Sequence, residues 1–112
     1  MKIDARKEKE VIVVTVAGRL DAITSPDFEK QLVEMISETA SRFVVNLSSV
    51  DYVSSAGLRA ILAVAKKAGA VNGKIVFTGI TEPVMQVFKI SGFSSILALC
   101  SSDQDALLQI AR

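Results

Sequence analysis

The stretch Arg42-Phe-Val-Val-Asn-Leu-Ser-Ser-Val-Asp-Tyr-Val-Ser-Ser-Ala-Gly-Leu-Arg59 decides the fold. Its first six residues, Arg42 to Leu47, form a short, nearly continuous apolar run, the pattern of a strand buried on both faces. Past Leu47 the chain turns polar and reads as a loop, which delivers Ser54 and Ser55 to the start of a helix. In that helix Leu58, Ile61, Leu62 and Ala65 make the expected buried stripe, and Gly69 the expected stop. A two-sided strand leading into a helix is half of a parallel β-α-β unit.

The same alternation extends in both directions. Upstream, Val11-Ile-Val-Val-Thr-Val16 is β-branched almost throughout and ends near Gly18, so it reads as a strand. Residues 2 to 6 can pair with it as an edge strand, with Lys7 to Glu10 as the turn. Ser25-Pro26-Asp27 then signals a helix, with serine as N-cap and proline at the first helical position. Phe28, Leu32, Met35 and Ile36 follow on one face. Downstream, Lys74-Ile-Val-Phe77 is a further buried strand. Thr81-Glu-Pro83 opens a helix that carries Val84, Val87 and Phe88 and stops at Gly92. Ile96 to Leu99 reads as a short strand, and Ser102 and Asp105, in capping-box spacing, begin a last helix through Leu107, Leu108 and Ile110. The order β-β-α-β-α-β-α-β-α predicts an α/β domain: a mostly parallel central sheet of about five strands with about four helices, its first pair antiparallel at an edge. No repeat or linker divides the chain, so residues 1–112 are expected to be one domain.

Composition narrows the function classes. Half of the residues are apolar and 22% are charged, enough for a real core and a solvated surface. Thirteen basic residues against 12 acidic ones, scattered along the chain, give no electrostatic footprint for nucleic acid. The apolar runs are far short of the ~20 residues that cross a bilayer, and the charged N-terminal stretch has no signal-peptide core, so no membrane insertion is expected. Cys100 is the one cysteine, which argues against a disulfide scaffold and for a cytoplasmic protein. There is no histidine, so Ser-His-Asp and Cys-His machinery and histidine metal sites are absent. Neither a G-x-x-x-x-G-K-[ST] nor a G-x-G-x-x-G phosphate cradle occurs. These absences predict no metal, no cofactor and no enzyme.

The serine pair is the chemical feature that remains. A helix N-terminus has unpaired N–H groups and a partial positive charge. A phosphate on a serine there would be tolerated, and would change the surface without unfolding the domain. From this physics alone, simple capping is the favoured reading of a serine there. Gly57 is costly inside a helix, which points to a close approach of something to the backbone, whether a partner or a neighbouring strand. Ala56, Ala60, Ala63 and Lys67 fall on one side of this helix, flanked by Arg59 and Lys66. Their small side chains offer a low surface for a partner helix, although alanine is also simply the best helix former.

The block Val53-Ser-Ser-Ala-Gly-Leu-Arg59, with Gly18-Arg-Leu-Asp21 after the second strand, resembles the STAS family of sulfate transporter and anti-sigma-factor antagonist domains. Length, element order, the Asn46-Leu47 strand end and Ser-Gly-Phe at 91–93 fall where that family has them. The resemblance implies a STAS-like fold and a stand-alone anti-sigma-factor antagonist, of the kind involved in bacterial stress response and sporulation. It further implies that Ser55, two residues before the Gly-Leu pair, accepts a phosphate. Ser54 is the second choice, standing where several members carry Asp. By the same resemblance, the unphosphorylated form binds an anti-sigma factor with serine kinase activity and frees the sigma factor. Phosphorylation ends that binding, and a PP2C-type serine phosphatase resets it. The expected docking residues are Asp21, Ser54, Ser55, Ala56, Gly57, Arg59, Ala60 and Ala63. Asp21 corresponds to an acid near the family's serine and, with Asp51, would add to the phosphate's charge in repelling an acidic partner. The other reading of Asp21 is an Asx-type turn.

Three other functions compete with this one. STAS-like subunits also serve membrane transport assemblies as structural or regulatory modules. A Ser-Lys enzyme built from Ser55 with Lys66 or Lys67 would span ~16 Å of helix, too far for contact. Nothing in the residues argues for direct nucleotide or lipid binding.

Overall fold

The central strands send alternate side chains to opposite faces of one sheet, and helices cover both faces. The computed structural model describes residues 1–110. Its elements are β1 (Lys2–Glu8), β2 (Val11–Leu20), α1 (Ser25–Met35), β3 (Arg42–Val53), α2 (Ser55–Ala70), β4 (Lys74–Thr78), α3 (Glu82–Ser91), β5 (Leu99–Cys100) and α4 (Asp103–Ile110), with a 3₁₀ turn at Phe93–Ser95. The strands lie in sequence order, β1-β2-β3-β4-β5. β1 is antiparallel to β2, and every later pair is parallel. Element order and class match the sequence expectation.

The alternation explains why β2 and β3 are apolar at consecutive positions. Val14, Val16, Phe43, Val45, Leu47 and Phe77 belong to the larger core, packed with Phe28 and Leu32 of α1, Ile61 and Val64 of α2, and Val84 and Phe88 of α3. Val11, Val13, Val44 and Val76 face the other way, onto Ala106 and Ile110 of α4. Burial of a core valine or phenylalanine contributes ~1.5–3 kcal/mol, so the two-sided strands are the main source of stability. A polar cluster fixes the start of α4 against the sheet edge. Asp103 accepts from Asn46 Nδ2 at 3.0 and 3.1 Å and from the buried Thr78 hydroxyl at 2.6 Å. Asn46 Oδ1 in turn accepts from the Ser48 amide at 2.8 Å.

Several boundaries differ from the sequence reading. β3 does not give way to a loop at Leu47 but continues to Val53, because β2 pairs with it through Leu20 with two register shifts. α1 begins at Ser25 with Thr24 in the cap position, so Ser25 is the first helical residue rather than the cap. Its hydroxyl is buried with no hydrogen-bond partner among the described residues. α2 runs through Gly69 to Ala70 and is closed by Asn72, whose φ is 57°, and by the Gly73 amide bonding to the Ala68 carbonyl. The strand expected at Ile96–Leu99 is the two-residue Leu99–Cys100, since the amides of Ile96 and Leu97 both bond to the Phe93 carbonyl. Gly92 does end α3, at φ 83°, in the left-handed region glycine tolerates best. Ser102 caps α4 as expected, its Oγ accepting from the Asp105 amide at 3.2 Å.

Candidate functional site

The site lies where β3 ends and α2 begins, at the C-terminal edge of the parallel strands. Ser54 is extended, with φ −86° and ψ 178°, and its amide donates to the Leu20 carbonyl of β2 at 2.8 Å. Its Oγ accepts from the Gly57 amide at 3.2 Å, and its carbonyl accepts from the Leu58 amide at 2.9 Å. Ser54 is therefore the N-cap, and its hydroxyl is committed to the helix. Ser55 is the first residue of α2 and is exposed. None of the side-chain hydrogen bonds among the described residues uses its hydroxyl.

Gly57 owes its presence to a neighbouring strand. A Cβ at this position would lie 2.6 Å from the Leu20 carbonyl oxygen and 2.9 Å from Val53 Cγ1. The first turn of α2 is pressed against the end of β2, and Gly57 is buried there rather than offered to a partner. Ala60 is a second correction, for it is 2% exposed and belongs to the core. The buried stripe of α2 is Gly57, Leu58, Ala60, Ile61, Val64 and Ala68, with Leu62 and Ala65 only half-buried. The alanine side of the helix is turned partly toward α1, and its small side chains let the two helices approach. A groove of about 580 Å³ remains between them, with Pro26, Glu29 and Lys30 of α1 facing Ala56 and Arg59 of α2. Ala56 and Ala63 are half-buried, and Arg59, Lys66 and Lys67 are exposed.

Asp21 sits in the turn between β2 and α1, which follows directly on Leu20. Its Oδ1 accepts from the amides of Ile23 at 3.0 Å and Thr24 at 3.1 Å, so it does make an Asx-type turn. Thr24 Oγ1 accepts from the Asp21 amide and donates to the Arg19 carbonyl at 2.6 Å, which locks the turn. The Thr24 amide above all holds the Asp21 carboxyl below its ordinary value of 3.8, against the opposing effect of burial and with help from the Ile23 amide and the Arg19 guanidinium. Arg19 Nε is 3.7 Å from Asp21 Oδ2, and its guanidinium lies 4.2 Å above the Tyr52 ring. Asp51 is exposed on β3.

Three surface residues that the sequence reading passed over stand in this region. Ile23 is 87% exposed at the tip of the locked turn, and Arg19, paired with Asp21, stacks on Tyr52. No pattern marks Ile23 in the sequence, since an isoleucine three residues after the end of a strand looks like any other apolar residue. Among the described residues no group of three or more His, Cys, Asp or Glu side chains could hold a metal, and no helix is long and apolar enough to cross a membrane.

Residues 2–106 match the STAS domain. The chain belongs to the STAS domain family. Its relatives include BtrV of Bordetella bronchiseptica, named an anti-sigma factor antagonist, which is 33% identical over 106 residues covering 95% of this chain and 91% of BtrV. Among solved structures, a Thermotoga maritima protein named an anti-sigma factor antagonist superposes with a TM-score of 0.92 at 16% identity, over 98% of this STAS chain and 95% of that one. The phosphorylated form of the Bacillus cell-fate determinant SpoIIAA superposes with a TM-score of 0.73 at 17% identity, over 97% of this chain and 99% of that one. At these identities the two structures establish the STAS fold.

Proposed function

We propose that this STAS domain is an anti-sigma-factor antagonist, a regulatory binding module switched by phosphorylation of Ser55. The observation that carries the reading is the division of labour between the two serines. Ser54 caps α2 and leaves the Ser55 hydroxyl exposed and uncommitted on the same turn. The 33% identical relative named an antagonist supports the functional class.

In this reading the unphosphorylated chain binds an anti-sigma factor with serine kinase activity and so releases the sigma factor. The docking face comprises Ser55, Ala56 and Arg59 of α2 with Asp21 and the Ile23 tip beside them. The kinase transfers the γ-phosphoryl of ATP to Ser55 Oγ. An O–P bond forms as the bond to ADP breaks, and the hydroxyl proton leaves to a base of the kinase. The product adds about −1.5 to −2 charges to a face that already carries Asp21 and Asp51. The helix end accommodates that charge, so the fold persists while an acidic partner surface is repelled. A PP2C-type phosphatase then restores the hydroxyl. The domain itself is a kinase substrate and not an enzyme, acting in the cytoplasm.

The test is phosphosite mapping. The chain is incubated with ATP and its kinase-type anti-sigma factor, and the product is sequenced by tandem mass spectrometry. One phosphate on Ser55, abolished in Ser55→Ala and retained in Ser54→Ala, is the expected result. Phosphate on Ser54, or none on either serine, overturns the assignment.

A further inference from the structure

Four residues beyond Ser55 stands a cation that the fold does not use. Arg59 is exposed, and it takes part in none of the ion pairs or side-chain hydrogen bonds among the described residues. Positions i and i+4 lie on one helix face with Cβ atoms ~5–6 Å apart. Helix side chains also lean toward the N-terminus, so a long side chain at 59 covers the turn that begins at Ser55. The other nearby arginine is committed, because Arg19 is held between the Asp21 carboxylate and the Tyr52 ring. Lys30 belongs to α1, on the opposite wall of the groove that Arg59 also lines.

We propose that Arg59 binds in cis a phosphate carried by Ser55. The inference rests on the reading of Ser55 as the phosphate acceptor. In the unmodified chain Arg59 is exposed and lines the α1–α2 groove, available to a partner. In the phosphorylated chain it swings back one turn and forms a charge-assisted, forked pair with the phosphate oxygens. Phosphorylation then does two things to the docking face. It adds negative charge at Ser55, and it withdraws the Arg59 cation from the groove. The phosphate gains a partner within its own helix, which favours its dianion.

The experiment uses the full chain with phosphoserine installed at position 55 during translation, so it does not depend on which kinase acts. The second phosphate ionisation is followed by ³¹P NMR against pH in chains carrying Arg59, Arg59→Lys, Arg59→Gln and, separately, Arg19→Gln. The other charges in the region are Asp21 in the turn after β2, Asp51 on β3, and Glu29 and Lys30 on α1. They are the same in all the Arg59 chains and cancel in that comparison. The expected midpoint with Arg59 is roughly half a unit below that with Arg59→Gln. Arg59→Lys falls between them, since it keeps the charge and loses the fork, and Arg19→Gln matches the Arg59 parent. Equal midpoints with Arg59 and Arg59→Gln, or a shift on Arg19→Gln instead, overturn the cis pairing. The role of Ser55 as acceptor stands or falls separately, on the phosphosite mapping.

Discussion

At the scale of single residues, Ser54 and Ser55 are chemically identical neighbours that the backbone sets to different work. Ser54→Ala removes the Oγ that accepts from the Gly57 amide and is expected to cost about 1 kcal/mol, within the ~0.5–2 kcal/mol of lost caps. Ser55→Ala is expected to stay within ~0.5 kcal/mol of wild type, as an exposed change that breaks nothing. Urea unfolding of the two variants side by side checks both, and equal losses would contradict the division. The glycines of α2 should respond with opposite signs. Gly57→Ala forces a methyl group against the Leu20 carbonyl and should destabilise by roughly 1–3 kcal/mol. Gly69→Ala, where a Cβ meets nothing within 4 Å, should stabilise by up to ~1 kcal/mol. The serine pair was visible in the sequence, but its division of labour was not. Which serine caps depends on where β3 stops, and that is set by pairing with β2 through two register shifts.

At the scale of elements, the turn between β2 and α1 and the start of α4 are held by carboxylates, and each makes a prediction. The folded state depresses the Asp21 pKa below 3.8, so its charge contributes stability that is present above that value and lost as pH falls through the folded one. Asp21→Asn keeps an oxygen for the Ile23 and Thr24 amides but has no charge. The stability difference between wild type and Asp21→Asn should be constant from neutral pH down to near 3.8 and shrink below it, as followed by thermal unfolding across pH. Asp103→Ala leaves Asn46 Nδ2 and the buried Thr78 hydroxyl without their acceptor and should cost roughly 1–3 kcal/mol. Its amide hydrogen exchange should rise first in α4. The order of elements could be read from the sequence because β-branched runs and helical stripes are local signals. Ala60 was misread because an alanine face looks the same to solvent as to α1, and only the position of α1 decides. β5 was misplaced because the Phe93 carbonyl captures two amides that an extended strand would have left free.

At the scale of the whole molecule, the docking face proposed above is one end of α2 with the adjoining Asx turn. In that reading Arg59 and Ile23, both exposed, contribute to the face without holding the fold. Arg59→Glu is expected to weaken partner binding while leaving the melting temperature nearly unchanged; loss of folding in this variant would mean that Arg59 is structural. The central claim is that the Ser55 hydroxyl switches this face off when it becomes an anion. The most direct measurement is affinity capture from lysate of the native host with wild type and Ser55→Asp, the bound proteins being identified by mass spectrometry. The account predicts that wild type captures an anti-sigma factor of kinase fold and that Ser55→Asp does not. Equal capture of a membrane transport complex by both chains would contradict it.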